Sequence, residues 1–126
     1  MADITVDEFT VYLKNRKEAS GLNLSGLDLS NMLIRDLNLR GANLSYCDLS
    51  RSDLSGSDLT RANLRGANLD KAILRNTVFV RANLTVADIK EADLRDADFT
   101  GANLSGAASN SGQSTARVIG RIYIKL

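Results

Sequence analysis

The chain has 126 residues, with 16 Lys+Arg against 15 Asp+Glu, one Cys and no His, Pro or Trp, which suits a single small soluble domain. Without His, a Ser-His-Asp triad, a His general base and a His-rich zinc site are excluded, and a lone Cys cannot close an internal disulfide. A net charge of +1 is too balanced for a non-specific nucleic-acid binder, which needs surplus Lys/Arg to release counterions from phosphate.

In chain order, the start Met1-Ala2-Asp3-Ile4-Thr5 lacks the basic region and apolar run of a signal peptide. No stretch approaches the ~18 consecutive apolar residues of a membrane span, so the expected location is cytoplasmic, with no membrane partner. Thr5-Val6-Asp7-Glu8 reads as a capping box, with acidic residues in the first turn. Val6, Phe9, Tyr12 and Leu13 share one face, and Lys14, Arg16 and Lys17 populate the last turn. The pattern predicts an amphipathic helix over 5–17 within an N-terminal helical cap of residues 1–20.

From Gly21 onward a large apolar residue returns every five positions, from Leu24 and Leu29 through Leu64 to Phe99 and Leu104, in 17 consecutive registers. Five residues advance an α-helix by roughly 500°, which would smear these side chains around every face. Two positions before each lies a second apolar or small residue, such as Leu22, Ala42, Cys47, Ser57 or Ala62. Local period two means short strands with two inward residues flanking one outward residue, and the remaining pair must turn the chain.

Ala42-Asn43-Leu44-Ser45, Ala62-Asn63-Leu64-Arg65-Gly66 and Ala102-Asn103-Leu104-Ser105-Gly106 resemble the A(D/N)LXX motif of the pentapeptide-repeat family over about Gly21 to Ala107. The resemblance implies an all-β solenoid, a right-handed quadrilateral β-helix with four pentapeptides to a coil, here with an N-terminal capping α-helix. The residues add support for a twenty-residue coil: Asn23, Asn43, Asn63, Asn83 and Asn103 are spaced by 20, as are Phe79 and Phe99. Stacked coils about 4.8 Å apart would let identical Asn side chains hydrogen-bond up a ladder. The β-helix is assigned to 21–108. Leu22, Leu27, Met32 and Leu37 in its first coil replace the usual Ala, where the helix is expected to cover the open end.

The register fails after Ala107. Residues 109–126 read as a small-polar linker and a C-terminal extension in which Val118, Gly120, Ile122, Ile124 and Leu126 alternate as in a strand. A strand there either folds over the last coil or pairs with another copy of the chain. Val118, Ile122 and Ile124 are the candidate dimer or cap contacts.

No catalytic, cofactor-binding or metal-ligating set stands out. Cys47 occupies an inward Ala-type position and reads as a small buried hydrophobe. The outward Asp and Asn residues recur in every repeat, as side chains bonding local backbone would, whereas a site should be singular. Arg35, Arg75 and Arg95 share one column and Arg61 and Arg81 another, read as solvated charge among interspersed acids. Outward apolar side chains break the pattern at Leu33, Ile73, Val78, Val80 and Val86, with Tyr46 nearby. Ile73, Val78 and Val80 are the candidate partner contact, expected to adjoin across one edge.

The reading is therefore a non-enzymatic structural scaffold or protein-interaction module, with an unidentified protein partner, no cofactor and no direct nucleic-acid binding. The alternative drawn from the resemblance is a DNA-mimic regulator of a type II topoisomerase such as DNA gyrase. Against it, residues 21–107 hold 11 acidic and 10 basic residues. A rod of about 20 Å also matches only about six base pairs.

Overall fold

The computed structural model of the protein describes residues 2–15 and 18–109. Helix α1 spans Val6–Asn15. It begins where the capping box places it: the Thr5 N–H donates to Glu8 Oε1 at 3.0 Å, and the Glu8 N–H donates to Thr5 Oγ1 at 3.1 Å. Phe9 is fully buried, while Ile4, Val6, Tyr12 and Leu13 pack against the same core. The Asp3 N–H donates to the Asn23 carbonyl at 3.1 Å, tying the approach to the helix onto the first coil. Arg16 and Lys17 lie outside the described residues, as does the extension beyond Ser109 with Val118, Ile122 and Ile124.

The rest is a stack of square coils. Parallel bridges join positions 20 apart in four columns, which define four walls. The first carries Asn23, Asn43, Asn63, Asn83 and Asn103 and is called the Asn wall. The second carries Asp28, Asp48, Asn68, Asp88 and Ala108. The third carries Leu33, Asp53, Ile73 and Asp93, and the fourth Glu18, Asn38, Asp58, Val78 and Asp98.

One pentapeptide shows why five residues suffice for a side. In Ala62–Gly66 the Ala62 N–H closes a turn onto the Leu59 carbonyl at 3.0 Å. Asn63 donates down to Ala42 at 2.9 Å, whereas Leu64 and Gly66 donate up to Asn83 and Thr85 at 2.7 and 2.9 Å. The fifth N–H, that of Arg65, donates to the side-chain oxygen of Asn63 at 3.0 Å. Every backbone donor of the side is thereby satisfied, three of them by neighbouring coils. The last residue of each side turns the corner with positive φ, between 53° and 60° in eleven non-glycine cases such as Tyr46, Arg61 and Arg81. That is the third-residue geometry of a type II turn.

The inward residues form a single core running the length of the stack. Leu24, Leu44, Leu64 and Leu84 are buried beneath the Asn wall, and Ala42, Ala62 and Ala82 fill the tight corners beside them. Phe79 and Phe99 stack with ring centroids 4.8 Å apart and planes 7° apart, matching the coil spacing. Where polar residues replace Ala, Ser52 bonds the Leu49 carbonyl of its own coil, and the others bond backbone one coil below. Cys47 Sγ reaches the Leu24 carbonyl at 2.9 Å and Thr77 Oγ1 the Leu54 carbonyl at 2.8 Å. Ser57 goes further, donating to the Ile34 carbonyl while accepting from the Leu37 N–H at 3.0 Å. It thus bridges the turn that carries the bulky Leu37.

The expected Asn ladder is replaced by a more local arrangement. The side-chain oxygens of Asn23, Asn43, Asn63, Asn83 and Asn103 each accept the backbone N–H two residues on, at 3.0–3.1 Å. Asp48, Asp58 and Asp88 accept the equivalent bond at 2.9–3.0 Å. The cause is geometric: an Asx side chain reaches the donor two residues ahead without help from the next coil.

Candidate interaction surface

With the inward residues committed to the core, chemistry rests on the outward and corner positions of the four walls. At most outward positions Asp or Asn is occupied by its own turn. Leu33, Ile73 and Val78 cannot supply that acceptor, and among the described residues no hydrogen bond is made by the backbone N–H of Arg35, Arg75 or Val80. The predicted contact residues divide between walls. Ile73 stands on the third wall between Asp53 and Asp93, and Val78 and Val80 flank Phe79 on the fourth, between Asp58 and Asp98. Ile73 is 39% exposed, whereas Val78 and Val80 are half-buried. Leu33, one column-mate of Ile73, is 70% exposed.

Charge on the third and fourth walls is largely cancelled by ion pairs, most of them between coils. Arg35 pairs with Asp53 at 2.6 Å, Arg40 with Asp58 at 3.1 Å, and Arg75 and Arg95 both grip Asp93, at 2.5 and 2.8 Å. Lys71 lies 3.7 Å from Glu91 at the corner after the second wall. Burial raises the pKa of the Asp53 carboxyl, but the Ser55 hydroxyl and N–H and the Arg35 guanidinium outweigh it and leave the group below its ordinary value. Asp58 is lowered in the same way, with Thr60 and Arg40 overcoming burial. The column of Arg35, Arg75 and Arg95 is therefore an ion-paired seam, not an open cationic stripe.

The Asn wall differs from the other three. All 11 acidic residues of 21–107 lie on the other walls or on corners away from it. The Asn wall and its two bordering corners carry Arg61, Arg65 and Arg81 instead, none in an ion pair among the described residues. Arg65 Nε donates to the Tyr46 hydroxyl at 3.3 Å, and the Tyr46 ring, 62% exposed, lies over Gly66 in the next coil. In the sequence the Asn spacing, the Arg61/Arg81 pair and Tyr46 stand apart. Only the coil assembles them, because residues four to twenty apart in sequence become neighbours around one wall.

Cys47 is buried, as its Ala-type position predicts, and burial pushes its thiol up to about 11. Among the described residues no His/Cys/Asp/Glu group is arranged to hold a metal ion, and no helix is long and apolar enough to cross a membrane.

Five-residue sides, positive-φ corners and a column spacing of twenty define a right-handed quadrilateral β-helix, the class of solenoid built from pentapeptides. The chain belongs to the pentapeptide-repeat family: the family profile, Pentapeptide repeats, matches residues 23–61, 38–76 and 77–108. No curated protein matches the sequence at a significant level. Among solved structures it is similar to HetL of the cyanobacterium Nostoc sp. strain PCC 7120, a pentapeptide repeat protein involved in heterocyst differentiation regulation. That match has 26% identity and a TM-score of 0.62 over 82% of this chain and 46% of HetL, so the chain spans less than half of HetL's length. It is also similar to a pentapeptide repeat protein of the Arabidopsis thaliana thylakoid lumen, at 27% identity and a TM-score of 0.52, covering 83% of this chain and 79% of that one. A likeness of fold alone links it to QnrB1, a plasmid-mediated fluoroquinolone resistance protein, at 24% identity and a TM-score of 0.52, covering 86% of this chain and 57% of that one.

Proposed function

We propose that the chain is a non-enzymatic scaffold, a protein-interaction module that presents side chains to a partner from a rigid coil stack. The observation that carries this reading is the contrast among outward positions. Polar side chains at most of them bond their own turns, whereas Leu33, Ile73 and Val78 are aliphatic where the fold has a use for Asp or Asn. Aliphatic groups kept at such positions suit contact with another surface, with Ile73, Val78 and Val80 as the proposed contact. The regulatory role stated for HetL is in keeping with an interaction module. In this reading the protein works in the cytoplasm without a cofactor.

The DNA-mimic alternative calls for continuous acidic columns. Here Asn68, Ile73 and Val78 interrupt them, and Asp53, Asp58 and Asp93 are paired with arginine. A photo-crosslinking residue placed at Ile73, with Lys90 on the second wall as control, tests the proposal in the source cells. The expected result is a discrete higher-mass adduct from position 73 and none from position 90. Equal labelling from both, or none from either, would refute it, and dose-dependent inhibition of gyrase supercoiling would establish the mimic in its place. A homodimer through the extension is tested by light scattering on the full chain and on Val118→Ser/Ile122→Ser/Ile124→Ser, in which a dimer should become a monomer.

A further inference from the structure

The Asn wall differs from its neighbours in hydrogen-bonding polarity as well as in charge. At Asn43, Asn63 and Asn83 the amide oxygen is held by the backbone N–H two residues on. That bond fixes which end of each amide is oxygen, so the NH2 end is left without a partner among the described residues. At the Asp positions of the other walls the same bond leaves a second carboxylate oxygen outward. Changing Asp to Asn down one column thus converts an acceptor surface into a donor surface with no change of fold.

The donors are joined by cations. Arg61 and Arg81 occupy successive turns of the corner entering the Asn wall, one coil step or about 4.8 Å apart. Arg65 projects from the wall itself. Arg51 and Lys90 are also outside ion pairs among the described residues, but they accompany the Asp48, Asp70 and Asp88 carboxylates of the second wall. Among the coil residues 21–107 no carboxylate lies on the Asn wall or its two corners; Asp3, held on the Asn23 carbonyl, stands two coils away from Asn63. Tyr46 and Val86, 62% and 49% exposed, line the corner on its far side.

We propose that the Asn wall docks a carboxylate-rich segment of a protein partner, with Arg61, Arg65, Arg81 and the amide NH2 groups of Asn63 and Asn83 receiving its Asp or Glu side chains. Arg–carboxylate pairing is directional and suits such a segment. Tyr and Arg are also the residue types that concentrate binding energy at protein interfaces. A protein segment fits better than nucleic acid because the cationic area is one wall wide. A polyanion extending past the corners would meet the Asp and Glu of the adjoining walls within a Debye length of about 8 Å. The proposal rests on the reading of the chain as an interaction module and names the chemistry of one face of it.

The test is an NMR titration of the isotope-labelled full chain with a twelve-residue peptide of alternating Glu and Leu, and in parallel with a twelve-nucleotide oligo-dT. Amide shifts should concentrate on residues 43–46, 61–66 and 81–86. Binding should weaken at least tenfold in Asn63→Asp/Asn83→Asp and in Arg61→Gln/Arg81→Gln. The Asn→Asp pair keeps the turn bond, since Asp serves at the equivalent positions of the other walls, and an unchanged melting temperature confirms the fold. Unaltered affinity in both variants, or shifts centred on another wall, would overturn the proposal. Tighter binding of the oligonucleotide to the same residues would overturn the protein-segment assignment. Peptide binding that fails while the Ile73 adduct forms removes this inference alone; failure of both removes the interaction module as well.

Discussion

Ser57→Ala isolates one bond geometry from the rest of the core. Ala is the residue found at equivalent positions 62, 67 and 72, so the substitution introduces no clash and no polar burden. What it removes is a buried hydroxyl that bonds both the Ile34 carbonyl and the Leu37 N–H. Stripping a partner from a buried polar group costs ~1–3 kcal/mol. Two such groups, partly relieved by relaxation of the turn, give an expected loss of about 2 kcal/mol. At roughly 4 °C per kcal/mol for a chain of this size, the melting temperature should fall by about 8 °C. Ser52→Ala supplies the control. Its hydroxyl donates at 2.6 Å to the Leu49 carbonyl, which the Ser52 N–H already occupies at 3.1 Å, so no group is orphaned and the loss should stay near 1 kcal/mol or below. Thermal unfolding followed by circular dichroism compares the two. Melting temperatures within about 1 °C of each other would refute the claim that Ser57 holds an otherwise open turn.

Gly66→Ala should destabilise the stack by about 1–2 kcal/mol, since a Cβ there would stand 2.5 Å from Tyr46 Cε1 and the residue has φ of +67°. Adding Tyr46→Ala should restore the steric part in a double-mutant cycle, and additivity of the two changes would show that ring and glycine are uncoupled. Asp53 and Asp58 have pKa values below those of an unfolded chain, so their contribution is present above the ordinary carboxylate value of about 4 and is lost as pH falls through the lower native value. Melting temperature should accordingly drop on acidification below about pH 4, and less steeply in Asp53→Asn; an identical profile in that variant would remove Asp53 from the account. With its thiol at about 11 and buried, Cys47 should react with a disulfide reagent at pH 8 no faster than the protein unfolds; rapid labelling of the folded protein would contradict its inward position.

The core was legible in the sequence because its code is redundant. Each of Leu24 to Leu104 repeats the same inward assignment, and Asn23 through Asn103 disclose the twenty-residue turn. The capping box at Thr5 and Glu8 located the helix start for the same reason: both bonds are local. The surface was less legible because its neighbours are remote in sequence. Arg35 and Asp53 are 18 positions apart, as are Arg75 and Asp93, and the reading of the arginine column as solvated charge missed these pairs, visible only once the coil pitch is fixed. The Asn ladder failed on a question of reach, since the competing backbone N–H stands two residues away. Ile73 and Val78, expected to adjoin across one edge, stand on adjacent walls on either side of the corner at Asn76.

That the backbone repeats every five residues while the walls repeat every twenty gives the molecule two different reading frames. Between the members of a column pair such as Leu37 and Ser57 or Phe79 and Phe99, loss or gain of one pentapeptide breaks that pair, but where Ala and Leu pack on Ala and Leu it leaves the buried pattern intact. It nevertheless rotates everything downstream by a quarter turn, bringing a residue such as Asp88 into the column of Asn63. Only a change of twenty residues lengthens the rod and keeps its faces. An insertion placed where the core is uniform Ala and Leu therefore rewrites the surface of everything downstream while the inward pattern is kept, at the cost of the ion pairs that it parts.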